Sequence, residues 1–296
     1  MPSLKDLKVR IGSVKNTQKI TKAMKMVAAA KLRRAKEQAE ASRPYSEAME
    51  QMLQSVVANL ESKQGLPELL VGTGNDKTHL LVVATADKGL CGGFNSSIVR
   101  EAKAQIAKLE AQGKIVKIYC VGKKSYEQLE HKYRSNIIAR VQELYKARPE
   151  YSHAELVATK IQQLISEHNI DKCVIIYNRF ISAIAQQVTT QQLMPMPVSE
   201  DPLGDVLGNN NSSCIFEPKQ KTILRDLVPR NLTVQIYRAM IENAASEQGA
   251  RMTAMDNASR NAGDMIKRLT LQYNRSRQAS ITKELIEIIS GAEALS

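Results

Sequence analysis

The chain reads as two very long terminal helices that pair with each other, joined through a central open α/β domain. Three observations predict this. No proline occurs from Asn231 to Ser290, and across that stretch Ile241, Ala244, Ala245, Gln248, Met252, Met255, Ala258, Ala262, Met265, Ile266 and Leu269 recur every three or four residues. The N-terminus is also free of proline between Pro2 and Pro44, and Leu4, Leu7, Ile11 and Val14 keep a seam spacing there. The middle alternates short apolar runs with helical stretches. A helix over 231–290 spans about 90 Å at roughly 1.5 Å per residue. No compact domain of 296 residues wraps that length, so most of it needs a partner helix or another protein.

The first helix supplies the partner. After a polar stretch, Ile20, Met24 and Val27 resume its seam on a slightly drifted face. Seam residues on both ends are largely Ala, Met, Ser and Gln, which permit close approach but stabilise weakly, so the rod needs a surrounding sleeve. Boundaries are placed at 1–64 for the N-terminal helix, 76–193 for the central domain, 194–220 for a loop and return, and 221–296 for the C-terminal helix.

A Gly/Pro-bearing break from Gly65 to Asn75 opens the middle region. The run Leu80 to Ala86, apolar but for Thr85, is the first strand, and Asn95 or Ser96 is placed to cap a helix reaching Gln112. Ile115 to Val121 is a second strand, Lys123 to Tyr133 a second helix and His153 to Glu167 a third. Cys173 to Tyr177 is a third strand and Ile181 to Gln191 a fourth. Alternation at these lengths predicts a small, mostly parallel, open sheet. The segment Pro195 to Pro218 reads as a polar loop.

Composition narrows the function classes. Three Phe, nine Tyr and no Trp suit helices that pack through small residues. The longest apolar run is far short of the ~20 residues a membrane-spanning helix needs. The first residues alternate Lys and Asp with Leu and lack an apolar signal core, so no secretory signal is expected. Cys91, Cys120, Cys173 and Cys214 are scattered without a CxxC pair and suit a reducing compartment. His79, His131, His153 and His168 show no metal-ligand spacing, so a metal site is not expected.

The net charge of +12 is uneven: residues 1–43 hold twelve Lys and Arg against three acids, whereas residues 231–296 hold eight basic and seven acidic residues. Three readings fit the basic first helix: a solvated face, a nucleic-acid arm, or a surface that meets acidic protein segments. No aromatic is interleaved before Tyr45, which disfavours nucleic acid, and a protein partner with acidic segments fits better. The loop DKGLCGGFN at Asp87 to Asn95 follows a strand and precedes a helix, where doubly wound folds bind phosphate. Its glycines match neither GxGxxG nor the Walker spacing, so a tight turn is the stronger reading and a nucleotide-binding enzyme the weaker. No Ser-His-Asp grouping or paired carboxylates appear, and neither catalytic residues nor a cofactor is expected.

Three stretches together resemble the gamma subunits of F-type ATP synthases: SVKNTQKITKAMKMVAAAKLRRA at Ser13 to Ala35, DKGLCGGFN at Asp87 to Asn95, and ITKELIEIISGAEAL at Ile281 to Leu295. The resemblance covers both ends and the central loop in order. It implies a long antiparallel coiled coil of the N- and C-terminal helices, with a central Rossmann-like open α/β domain at its foot. The implied partners are three alpha and three beta subunits around one such chain, the epsilon subunit and the c-subunit ring. The implied place is peripheral on the inner (plasma) membrane at its cytoplasmic side, or the matrix side of the mitochondrial inner membrane. On the same ground Lys22, Met24 and Lys25 would face acidic lever loops of the beta subunits, although Met24 also fits a seam position. Lys88 and Cys91 resemble a second part of that contact. Arg277 and Gln278 resemble a hydrogen-bonded catch against beta loops, with Thr282, Glu284 and Glu287 just beyond. By spacing alone the two acids also fit pairing with Lys283 or solvent. No inserted loop with a cysteine pair is present, so thiol regulation is not expected.

Overall fold

The computed structural model describes residues 3–58, 66–145, 148–197 and 220–293, and these divide into two compact units. One comprises residues 1–29 with 251–296, the other residues 30–250. Two helices contribute to both: α1 (Leu4–Ala58) and α6 (Gln220–Glu293). Helix α1 starts from a reciprocal cap, in which the Asp6 N–H donates to Ser3 Oγ at 3.1 Å and the Ser3 N–H donates to Asp6 Oδ2 at 3.2 Å.

The larger unit holds a five-stranded sheet in the order β3-β2-β1-β4-β5. Its strands are β1 (Thr78–Ala84), β2 (Ile115–Val121), β3 (Ile137–Val141), β4 (Lys172–Phe180) and β5 (Gln186–Met194). All pairings are parallel except β4 with β5. Each central strand is apolar on both faces, as a sheet covered on two sides requires. Leu81, Val83, Val116, Ile118, Cys120 and Ile176 face α3 (Phe94–Ala111) and α4 (Lys123–Tyr133). Leu80, Val82, Tyr119, Cys173 and Ile175 face the opposite layer. That layer is formed by α5 (Tyr151–His168), the Met49 to Val56 part of α1 and the Leu224 to Met240 part of α6. The long helices are therefore part of this domain's own core.

Several expectations need correction. Strand β3 lies where none is expected. It has five residues, only partly buried, at the sheet edge, and its Arg140 guanidinium lies 4.4 Å over the Tyr126 ring. The segment expected as a break carries a short helix, α2 (Glu68–Val71), and buries Leu66 and Leu70 in the core. The last strand is shifted: Ile181–Ala185 forms the turn, and β5 runs antiparallel to β4 as a hairpin. Asn95 does not cap α3, whose N-cap is Gly93. It lies buried in the first turn, and its Oδ1 accepts the Ala86 N–H at 3.0 Å. Residues 198–219, and Cys214 with them, lie outside the described residues.

In the smaller unit the seam of α1 follows an unbroken heptad spacing, Leu4, Leu7, Ile11, Val14, Gln18, Thr21, Lys25 and Ala28, all buried or half-buried. The expected drift through Ile20 and Val27 is not found, since these are 59% and 56% exposed. Met24 is half-buried beside Lys25. On α6 the matching seam is Met252, Met255, Ser259, Ala262, Ile266, Leu269, Tyr273, Ser276 and Ser280, and Met265 points outward.

Candidate functional site

The centre of the helix pair is polar. Lys25 Nζ donates to Asp256 Oδ1 at 2.6 Å, and Arg260, one turn on, reaches Asp256 Oδ2 at 2.7 Å. The Lys25 ammonium, aided by Arg260, holds the Asp256 carboxyl below the usual carboxylate range. Gln18 Nε2 donates to the Ser259 carbonyl at 3.3 Å, and a Cβ at Gly263 would stand 3.0 Å from that same Nε2. These contacts fix an antiparallel register. Lys25 with Asp256 and Gln18 with Gly263 both sum to 281, so Leu4 falls opposite a residue near 277.

Beyond Ser280, helix α6 has run past the start of α1. Residues 281–290 are all exposed, including Ile281, Leu285, Ile286, Ile288 and Ile289. An end this apolar and this bare is a surface for another protein.

The expected contact residues fall in three places. Lys22 is exposed, beside a shallow pocket of about 460 Å³ that Lys19, Lys25 and Asp256 also line. Lys25 itself is engaged by Asp256. Arg277 and Gln278 are exposed opposite the start of α1, and Thr282 Oγ1 donates to the Gln278 carbonyl at 2.9 Å. Glu287 meets Lys283 at 3.6 Å, and Glu284 accepts from Ser280 Oγ at 3.5 Å.

The third place is the loop after β1. Lys88, Gly89 and Leu90 are exposed at its tip, and Leu90 takes a left-handed backbone at φ 62°. Cys91 is only 1% exposed: its thiol packs beneath the loop, donating to the Lys88 carbonyl at 3.8 Å, while Asn95 Nδ2 donates to Cys91 Sγ at 3.2 Å. Among the other described cysteines, burial pushes the Cys120 thiol up to about 11 and raises Cys173 further.

The same end of the sheet carries the crevice between β1 and β4, where strand order reverses and doubly wound folds bind ligands. Here α6 fills it. Asn243 Oδ1 accepts the Asn178 N–H at 3.0 Å, Asn243 Nδ2 donates to the Ala84 carbonyl at 3.3 Å, and Ser246 Oγ donates to the Asn178 carbonyl at 2.9 Å. The strand-end groups that face the crevice are thus taken by α6 side chains. No cluster of metal-ligating side chains occurs among the described residues.

Sequence reasoning missed Asn178, Asn243, Ser246 and Asp256. Only Asp256 carried a signal, as an acid beside a helix seam otherwise free of charge.

The chain matches the ATP synthase family model over residues 3–295. The ATP synthase gamma chain of Paramagnetospirillum magneticum is 55% identical over 295 residues, with all of both chains covered. That of Sinorhizobium fredii is 54% identical over 295 residues, again with all of both chains covered. Among solved structures, the central stalk and c-ring of Tetrahymena thermophila mitochondrial ATP synthase contains a chain 27% identical at a TM-score of 0.59. That match covers 81% of this chain and 99% of the other. A chain of the Euglena gracilis mitochondrial enzyme, in a structure of OSCP, F1 and c-ring, shares the fold at a TM-score of 0.67 and 20% identity. It covers 99% of this chain and 94% of that one. On full-length similarity and shared fold together, the chain belongs to the ATP synthase gamma-chain family.

Proposed function

We propose that this chain is the central rotor shaft of an F-type proton-translocating ATP synthase, and that it couples rotation of the membrane ring to the catalytic cycle of the beta subunits without a catalytic site of its own. The observation that carries this reading, beside full-length similarity to gamma chains, is the bare apolar end of α6, which demands a sleeve. Three alpha and three beta subunits supply that sleeve. The epsilon subunit and the c-ring are the partners of the larger unit, and the protein acts at the inner membrane's cytoplasmic or matrix side, peripheral to it. No helix among the described residues is long and apolar enough to cross a membrane.

Rotation inside three chemically identical subunits changes nucleotide affinity only through differential contacts with each conformation. Exposed charge and hydrogen-bonding groups provide contacts that form and release with angle, whereas deep apolar knobs would bind all angles too firmly. In this scheme Lys22, with Met24 and the Asp256-held Lys25, meets acidic beta levers. Lys88 meets them from the loop tip, with Cys91 supporting that loop from beneath. Arg277 and Gln278 form the catch, and Thr282, Glu284 and Glu287 extend it along α6. Nothing in the fold or the relatives supports the nucleic-acid reading, and the filled crevice argues against a nucleotide-binding enzyme.

The decisive test mixes the purified chain with separately made alpha and beta subunits and follows native mass and ATP hydrolysis. One copy per hexamer with raised hydrolysis is expected, and no association under conditions where another gamma chain assembles overturns the reading. At the catch, Arg277→Ala is expected to leave the helical content intact while lowering ATP-driven proton pumping roughly tenfold, the worth of one charge-assisted hydrogen bond. Unchanged hydrolysis and pumping would remove Arg277 from this role.

A further inference from the structure

The parallel ladder between β1 and β4 ends at Val83 opposite Ile176. Past that point the two strands separate, and main-chain groups that would have paired across the gap need other partners. These are the groups taken by α6: the Ala84 carbonyl by Asn243, the Asn178 N–H by Asn243, and the Asn178 carbonyl by Ser246. The Asn178 side chain extends the network to a third element, with its Nδ2 donating to the Phe94 carbonyl at the start of α3 at 3.4 Å. Asn178, Asn243 and Ser246 are all buried. Asn243 and Ser246 stand three residues apart on one face of α6, and Gly249, three further on, brings the helix so near the β4–β5 turn that a Cβ there would lie 3.1 Å from the Ala183 carbonyl.

We infer that Asn178, Asn243 and Ser246 are a mechanical lock that keys α6 to the central domain, so that load arriving at the domain is carried into the helix without slip. The inference rests on the rotor reading. Apolar packing resists separation but is non-directional, so a helix can creep along an apolar groove while keeping much of its buried area. Hydrogen bonds are sharply dependent on distance and angle, and among side chains this buried a displaced partner is costly to replace. Two side chains on successive turns, both bonded to one residue of β4, fix the rotation and the axial position of α6 together. These are positioning residues, acting through α6 and touching no nucleotide.

The test uses the whole complex, reassembled in proteoliposomes with the wild-type chain, Asn243→Ala or Ser246→Ala. ATP hydrolysis and proton pumping are followed as an opposing proton gradient is increased, and amide exchange is followed at residues 84–95 and 176–180. Expected for both variants is hydrolysis close to wild type, faster exchange at those residues, and a pumping-to-hydrolysis ratio that falls roughly threefold or more under load, in keeping with loss of one or two buried hydrogen bonds. Ser246→Ala removes a single bond and keeps a good helix former, so it reports even if Asn243→Ala does not assemble. A ratio that stays at the wild-type value under load while exchange rises overturns the lock. Failure of the wild-type chain to restore pumping overturns the rotor reading instead.

Discussion

Gly122 shows how closely the central domain is drawn at one point. It follows β2, takes φ 98°, and donates its N–H to the Val141 carbonyl at 2.9 Å. A Cβ there would lie 2.2 Å from the Thr85 carbonyl oxygen, where no rotamer change can relieve the clash. Gly122→Ala is therefore expected to destabilise the fold by on the order of 3 kcal/mol, from backbone strain and forced separation together, read as a lower urea midpoint with an unchanged slope. At Asp256, replacement by Ala frees Lys25 and Arg260 from their shared carboxylate and leaves a half-buried ammonium in the seam. The expected outcome is a lower melting temperature in dilute buffer and a smaller difference in concentrated salt, because screening weakens the pair that the wild type retains.

At the scale of elements, Asp76 ties together the starts of three strands: Lys114 before β2 at 2.5 Å, Lys172 at the start of β4 at 3.0 Å, and His79 in β1 at 2.7 Å. Hydrogen bonds from Lys114, then Lys172, hold the Asp76 carboxyl far below the usual range, and burial lowers the His79 imidazole from 6.5 despite its Asp76 partner. Both groups titrate lower in the folded chain than in the unfolded one, so each contributes stability at high pH that is lost on acidification. For His79 the loss begins as pH falls below about 6.5, and for Asp76 below about 4. A melting temperature measured against pH should step down in both windows. His79→Gln is expected to flatten the upper step and Asp76→Asn the lower, and an unchanged profile would show that other groups control acid unfolding.

For the whole molecule, the exposed Ile281, Leu285, Ile286, Ile288 and Ile289 set both a liability and a use. The isolated chain is expected to self-associate in sedimentation runs, and Ile288→Ser with Ile289→Ser is expected to suppress this. The same pair of changes should weaken joining of the alpha and beta subunits by roughly a hundredfold, since two buried isoleucines are worth about 3 kcal/mol or more. Equal binding by wild type and variant would show that the sleeve grips elsewhere. Local sequence was enough to determine the existence of α1 and α6, because the proline-free three-and-four spacing over 3–43 and 231–290 has no other low-energy reading, although the helices themselves run on through Pro44 and Pro229. It also determined the bounds of β2 and α4, where apolar run and polar helix are cleanly separated. The phase of the coiled coil was decided by the partner helix: Gln18 and Lys25 enter the seam because Ser259 and Asp256 wait there, while Ile20 and Val27, more apolar, are left outside. Strand β3 and the buried place of Asn95 were decided by neighbours that local propensity does not see. The closing of the crevice by Asn243 and Ser246 was decided only in three dimensions. Its bonds join β1, β4 and α6 across 65 to 159 residues of chain, and a polar residue on a helix shows no sign of such a bond until the fold brings an unpaired strand end beside it.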